Sequence, residues 1–174
     1  MVISASSTLE DVCYEVCTAL HDAGTTVVLT GGSAATVYAP ESYQSRDADF
    51  IITLHAIAAG LVLTGLGYES QRGVYSHNLS GYTLEFPRGP LQIADKVITR
   101  WETRRRGDRL LHILSPNDCV RDRLLWFYGY GDRSALSAAI GVASREAIDL
   151  NIIRDWSAEM GNAREFAIFV QSLS

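Results

Sequence analysis

The first half of the chain alternates an amphipathic segment with two short apolar runs. Apolar residues recur at helical spacing over residues 7–23, which predicts a helix opened by a Ser7–Glu10 capping box and stopped by Gly24. The apolar runs predict strands at 27–30 and 47–54. A short helix at 33–38 is expected between the strands, because a proline at position 40 follows it.

The pattern of hydrophobic and polar residues changes twice in the second half of the chain. A helix is predicted at 56–66, and beyond residue 67 the pattern becomes one of short strands, with a Ser80-Gly81 turn. These strand segments cover residues 68–71, 74–79, 82–86 and 110–114. Ser115-Pro116 then opens a run of helices, predicted at 117–129, 133–146, 149–160 and 163–172. We therefore expect an α/β (α+β) fold with an α/β core over 1–115 and a helical C-terminal segment over 116–174.

Composition places the chain among globular domains. Its 174 residues are 47% hydrophobic and 20% charged, enough to build one core, and the net charge of -5 argues against nonspecific nucleic-acid binding by the whole surface. The longest apolar segment, 56–66, is too short to span a bilayer, and no signal peptide is evident. These features predict a cytoplasmic protein that does not engage a membrane.

The three cysteines are an odd number, which suits a reducing compartment. Cys13, Cys17 and His21 follow one another at helical spacing, so a metal site is one interpretation. Apolar residues share much of that helical face, and buried structural cysteines are the preferred interpretation.

Candidate chemistry is concentrated where the first strand ends and the second begins. Gly31-Gly32-Ser33 follows the first strand, and a glycine turn with a hydroxyl lets the backbone approach a phosphate closely. Asp47 and Asp49 open the second strand two residues apart, so their carboxylates face the same side of the sheet. The pattern indicates a phosphate cradle beside a site for a divalent metal ion, as phosphoryl or nucleotidyl transfer requires.

A third carboxylate strengthens this interpretation. Glu85 lies between apolar residues on a predicted strand, where a carboxylate is costly to bury unless it is paired or binds a cation. If that strand lies beside the strand of Asp47 and Asp49, three carboxylates converge and could hold Mg²⁺ or Mn²⁺ through oxygen ligands.

The order and spacing of these motifs resemble the DNA polymerase β-like nucleotidyltransferase superfamily, and most of all its small bacterial members of the AbiEii and MenT type, many of them toxins of toxin–antitoxin pairs. The resemblance covers roughly residues 25–135. It implies a mixed sheet flanked by helices, an NTP substrate bound by Gly31-Gly32-Ser33, and transfer of NMP to an RNA 3′ end, a protein or a small molecule. It also implies Arg121 as the favoured triphosphate contact, with Asp118 and Arg123 as weaker candidates, and an antitoxin protein as partner.

Each motif also has a structural interpretation. Gly31-Gly32 could form only a tight turn with Ser33 as a helix N-cap, and Asp118 could be a capping acid with Arg121 as its i+3 partner. Two other functions stay open beside nucleotidyl transfer: a noncatalytic module of the same fold that binds nucleotide or a partner protein, and other metal-dependent phosphate chemistry such as hydrolysis.

Two further segments have alternative interpretations. Residues 88–109 carry a net charge of +4, and Arg104-Arg105-Arg106 is predicted to be an exposed turn that either binds an acceptor such as tRNA or is merely solvated. Aromatic residues cluster at 126–130, which is typical of a helix packed on a sheet; base stacking by one of the tyrosines is the alternative.

Overall fold

The structure, a computed structural model, describes residues 3–54 and 59–173. The described residues form seven helices: α1 (Leu9–Asp22), α2 (Gly31–Tyr38), α3 (Ala59–Gly65), α4 (Pro116–Tyr130), α5 (Arg133–Arg145), α6 (Leu150–Glu159) and α7 (Ala163–Gln171). None of these helices has the length and apolar character needed to cross a membrane.

Nine strands complete the described fold: β1 (Thr26–Thr30), β2 (Asp47–Leu54), β3 (Tyr68–Gln71), β4 (Val74–His77), β5 (Thr83–Glu85), β6 (Gln92–Ile93), β7 (Lys96–Val97), β8 (Glu102–Arg106) and β9 (Arg109–Ile113). Seven of them form one mixed sheet in the order β3-β4-β5-β2-β1-β9-β8, and β6 pairs with β7 separately. β1 and β2 are antiparallel, whereas β2 and β5, and β1 and β9, run parallel. This topology brings β1, β2 and β5 together at the centre of the sheet.

The core lies between the sheet and its helices. α1 packs against β1 and β9, α2 packs against β1 and β2, and α4 and α5 pack against α2. In β2, Ala48 and Phe50 are fully buried, while the residues between and before them are partly exposed. Because side chains alternate along a strand, the helices cover one face of β2 and the other face is left for Asp47 and Asp49.

Most of the predicted elements are confirmed within a few residues, and β2 and β3 have the predicted bounds. The start of the first helix is a correction, because its cap is Thr8. The Thr8 hydroxyl accepts from the Asp11 N–H and the Asp11 carboxylate accepts from the Thr8 N–H, whereas Ser7 bonds to Ser4. The predicted helix 56–66 is described only from Ala59 onward, since residues 56–58 lie outside the described residues.

The predicted turn at Arg104-Arg105-Arg106 is wrong. These residues belong to β8, which pairs antiparallel with β9 and forms an edge of the sheet. Cys13 and Cys17 are buried in the core, as the preferred interpretation of the α1 cysteines requires.

Candidate active site

Three carboxylates meet on the uncovered side of the sheet. Asp47 and Asp49 lie two residues apart on β2, and β5 runs parallel to β2 with Glu85 paired to Asp49. Residues at paired positions of neighbouring strands point to the same face. The register therefore places Asp47, Asp49 and Glu85 on one side of the sheet, and all three side chains are partly exposed.

The carboxylates affect one another electrostatically. The pKa of Asp49 rises from its ordinary 3.8 to about 6, mainly because burial penalises the charged form and further because Asp47 and Glu85 add negative charge nearby. Arg123 opposes the rise. A carboxylate with a pKa raised in this way is characteristic of functional sites.

Gly31 brings the backbone close to Asp49. It opens α2 with a φ of +65°, a left-handed conformation that favours glycine. A Cβ at this position would lie 2.9 Å from Asp49 Oδ2 and 3.7 Å from Arg123 Nη2. Gly31 is therefore required both by the turn and by the close approach.

Gly32 and Ser33 are placed differently. The ring of Tyr43 covers Gly32, with a ring carbon 2.8 Å from where a Cβ would lie. Ser33 is fully buried; its hydroxyl donates to the Thr30 carbonyl at 2.7 Å and accepts from the Asp49 N–H at 3.2 Å. The Ser33 hydroxyl thereby ties the turn after β1 to the backbone of Asp49.

α4 contributes the cation of the site through Arg123. The Arg123 side chain is buried, and its Nε and Nη2 donate to Asp122 Oδ2 at 3.0 and 2.6 Å. Arg121 is on another side of the helix. Its guanidinium pairs with Asp118 and lies 5.9 Å from the centroid of the Trp156 ring.

Gly31, Asp49 and Arg123 line a cleft of about 370 Å³, whereas Asp47 and Glu85 lie outside its lining. Its lining residues come from the β1–α2 turn, the outer part of β2, the loop after β5, the end of β9 and α4: Thr30, Gly31, Asp49, Ile51, Pro87, Arg88, Gly89, Pro90, Leu91, Gln92, Leu114, Asp122, Arg123 and Trp126. Its volume is within the range of small-molecule sites. Of the residues predicted for nucleotide binding, Gly31 lines this cleft, whereas Gly32, Ser33 and Arg121 do not.

The carboxylates fit a divalent cation in donor chemistry. Mg²⁺ and Mn²⁺ prefer carboxylate oxygens, and Asp47, Asp49 and Glu85 offer three such groups on one face. In the described parts of the chain, however, no three His, Cys, Asp or Glu side chains are already gathered as a metal site. Asp47 instead accepts from the Ser45 hydroxyl at 3.2 Å.

The sequence pattern gives too little weight to two residues of the cleft. It favours Arg121 over Arg123, yet Cys119, Arg123 and Phe127 are all buried and follow one another at intervals of four residues. A charged residue within an apolar helical stripe is the signal that points to Arg123. The aromatic cluster at the end of α4 indicates packing for Trp126, although this side chain is 47% exposed.

The arginines of β8 are not a free cationic patch. Arg104 pairs with Glu146 at 2.6 Å and lies over the Tyr38 ring. Arg106 pairs with both Glu10 and Asp11 of α1. These contacts engage the two arginines in holding β8 against the helices.

The chain thus has a mixed sheet flanked by helices, with the carboxylates of β2 next to the glycine that opens α2. No family model matches the chain, and no curated protein matches it. In structure, the chain is similar to an antigenic nucleotidyltransferase-like protein from Paracoccidioides brasiliensis, with a TM-score of 0.59 and 19% sequence identity over 80% of this chain and 77% of that chain. The two chains share a fold.

Proposed function

We propose that this protein is a nucleotidyltransferase that moves NMP from an NTP to a hydroxyl acceptor and releases pyrophosphate. The observation that carries the proposal is the register of β2 and β5, which pairs Asp49 with Glu85 beside Gly31. Carboxylates on one sheet face, of which Asp49 shares a cleft with a close-approach glycine and a buried guanidinium, are the groups that this chemistry needs. The shared fold supports the same class of reaction.

Asp47, Asp49 and Glu85 would hold Mg²⁺ or Mn²⁺. The bound cation would act as a Lewis acid on the phosphate and lower the pKa of the attacking hydroxyl. Occupancy by a cation would also relieve the mutual repulsion that raises the pKa of Asp49. The hydrogen bond from the Asp49 N–H to the Ser33 hydroxyl keeps the Asp49 backbone in place while the cation and the nucleotide bind.

The remaining residues of the site bind the nucleotide and accept the proton. The N–H groups at the Gly31-Gly32 turn approach the phosphates, and Arg123 neutralises part of their charge. The acceptor oxygen forms a bond to the α-phosphorus, and the bond from that phosphorus to the pyrophosphate oxygen breaks. Glu85 accepts the hydroxyl proton. Arg121 lies outside the cleft lining and pairs with Asp118, so we assign it to the support of α4 rather than to the nucleotide.

The acceptor is assigned by resemblance. The likeness to AbiEii- and MenT-type toxins supports an RNA 3′ end or a protein hydroxyl as acceptor and an antitoxin protein as partner. Because Arg104 and Arg106 are in ion pairs, the cleft rather than β8 is the expected place for the reacting end of that acceptor.

The test is transfer of label from each α-labelled NTP to total cellular RNA or protein extract in the presence of Mg²⁺ or Mn²⁺. The wild type should label one macromolecular species, and Asp49→Asn should abolish labelling while the protein stays folded. Asp22→Asn, at the exposed end of α1, is the matched control and should label normally.

Three results would contradict the proposal. Free NMP or phosphate without labelled acceptor would indicate hydrolysis. Nucleotide binding without turnover, unaffected by Asp49→Asn, would indicate the noncatalytic binding module. Undiminished labelling by Asp49→Asn would remove the carboxylate site from the reaction.

A further inference from the structure

The cleft has two chemically different parts. Asp49, Asp122 and Arg123 give it a charged part next to the Gly31 turn. The apolar part of the lining comes from Ile51 and Leu114 of the sheet region, Pro87, Pro90 and Leu91 of the loop after β5, and Trp126 of α4. The same stretch after β5 also contributes Arg88 and Gln92, which add a cation and an amide to the lining. With a divalent cation held at Asp49, as the proposed function requires, a ligand that fills this cleft should carry an anionic end and a flat or apolar end.

Trp126 is placed to contact the apolar end. It follows Arg123 by three residues, so the two side chains share a side of α4 and lie about 4.5 Å apart along the helix axis. The indole lines the cleft and is still 47% exposed. Tyr130, one turn further along α4 and outside the cleft lining, has its ring centroid 5.2 Å from that of Trp126. The indole is thus supported on α4 and free to take a ligand.

Packing does not account for this tryptophan. Phe127 is buried in the core, and Tyr128 stacks on Trp156 with a centroid distance of 5.8 Å and bonds to the Ser157 hydroxyl. These two residues attach α4 to its neighbours. Trp126 makes no comparable contribution to the core, although a large exposed apolar side chain is unfavourable in water.

We infer that Trp126 is the stacking platform for the nucleobase of the NTP, with Arg123 at the phosphates. This inference rests on the proposed function, since it names how the same cleft recognises its nucleotide. Every base has a π face, so stacking on an aromatic side chain contributes affinity that depends little on which base is bound. The apolar residues of the loop after β5 complete the base site, and the charged part of the cleft receives the polyphosphate.

Equilibrium dialysis of the full chain separates the two parts of the ligand. The probes are ATP, GTP, CTP and UTP, each in Mg²⁺, and inorganic tripolyphosphate, which carries the phosphates without a base. Trp126→Ala should weaken binding of the preferred NTP by roughly 5- to 100-fold, the range expected for loss of one stacked base. Tripolyphosphate affinity should stay within about twofold, and Trp126→Phe should retain most NTP affinity because it keeps an aromatic face.

Ile152→Ala is the matched control, because Ile152 is 48% exposed on α6 and lies outside the cleft lining. It should bind every probe as the wild type does. Unfolding curves of each variant confirm that the fold is intact.

The outcomes distinguish this inference from the proposed function. Unchanged NTP affinity in Trp126→Ala, beside normal binding by the wild type, overturns the platform alone and makes the Trp126–Tyr130 surface a contact for another molecule. An equal loss of NTP and tripolyphosphate affinity in Trp126→Ala also overturns it, because Trp126 would then not act through contact with the base. A wild type that binds no NTP in Mg²⁺ overturns both the platform and the proposed function.

Discussion

Asp49 illustrates how a single residue can favour function over stability. Burial and two neighbouring carboxylates raise its pKa to about 6, so the ionised form is held at a cost in the folded protein. A site that must receive a cation and a polyphosphate has to keep such groups together before its ligands arrive. Under the proposed function, this loss of stability is the cost of assembling the site.

The loss of stability caused by ionised Asp49 depends on pH. The unfolded chain loses the Asp49 proton near its ordinary pKa of 3.8 and the folded chain only near about 6, so stability falls as pH rises through that interval and the full cost is present above it. In chelator at pH 7.5, Asp49→Asn should stabilise the fold by about 1–2 kcal/mol, below the full linkage value because the carboxylate is partly solvated.

Urea unfolding of both proteins at pH 7.5 and pH 4.5 measures this effect. The gain should shrink to less than half at pH 4.5, where the folded protein already holds the proton. Asp22→Asn should show no gain at either pH. If Asp49→Asn destabilises the fold equally at both pH values, ionised Asp49 does not lower the stability of the folded protein.

Gly31 is the second residue whose identity the site dictates. Gly31→Ala would add left-handed strain and place a Cβ 2.9 Å from Asp49 Oδ2. Gly131, the C-cap of α4, has a φ of +66° and open space where a Cβ would lie, with nothing within 4 Å, so Gly131→Ala adds the strain alone. Gly131→Ala should lose about 1 kcal/mol of unfolding free energy, and Gly31→Ala should lose more because Asp49 must also shift. Gly31→Ala should in addition lose at least tenfold in nucleotide transfer.

Denaturant unfolding and the transfer assay on the same samples check this pair. If Gly31→Ala transfers nucleotide as well as Gly131→Ala does, the close approach of Gly31 to Asp49 has no role in the reaction.

At the scale of elements, the sequence predicts those whose pattern is local. β2 is predictable because it contains a short apolar run, and α4 because Ser115 and Pro116 open it. β8 escapes prediction because all five of its residues are polar. Its arginines are stabilised by contacts with distant parts of the chain, Glu146 and the Tyr38 ring among them, and no local pattern reveals such contacts.

The contacts that Arg104 makes from β8 therefore indicate a structural role for this residue. Arg104→Gln removes the ion pair with Glu146 and the contact with Tyr38, 4.4 Å from the ring centroid, and should lower the free energy of unfolding by about 1 kcal/mol. Arg105→Gln changes an exposed neighbour on the same strand and should have an effect below about 0.5 kcal/mol.

RNA binding by the two variants completes the comparison. Their affinities for total RNA and the salt dependence of binding should match those of the wild type. A strong loss of RNA affinity in Arg104→Gln with unchanged stability would instead make β8 an acceptor-binding surface.

At the scale of the whole molecule, the cleft is assembled from segments that are far apart in sequence. The carboxylates could be predicted because Asp47 and Asp49 share one strand and Glu85 lies on another short strand. The place of Arg123 in the cleft is only weakly indicated, by one charged residue in an apolar helical stripe, because it depends on how α4 packs against α2. Helix packing also brings Trp126 into a cleft with Asp49, although 77 positions separate them in the sequence.

The most direct test of the central claim follows the two ends of the triphosphate. Wild-type protein is incubated with Mg²⁺, cellular RNA and protein extract, and the preferred NTP labelled at either the α- or the γ-phosphate. Nucleotidyl transfer predicts acceptor labelled only from the α-position, with pyrophosphate released in equal molar amount and both lost in Asp49→Asn. Label transferred from the γ-position, or pyrophosphate and NMP released with no labelled acceptor, would contradict the account.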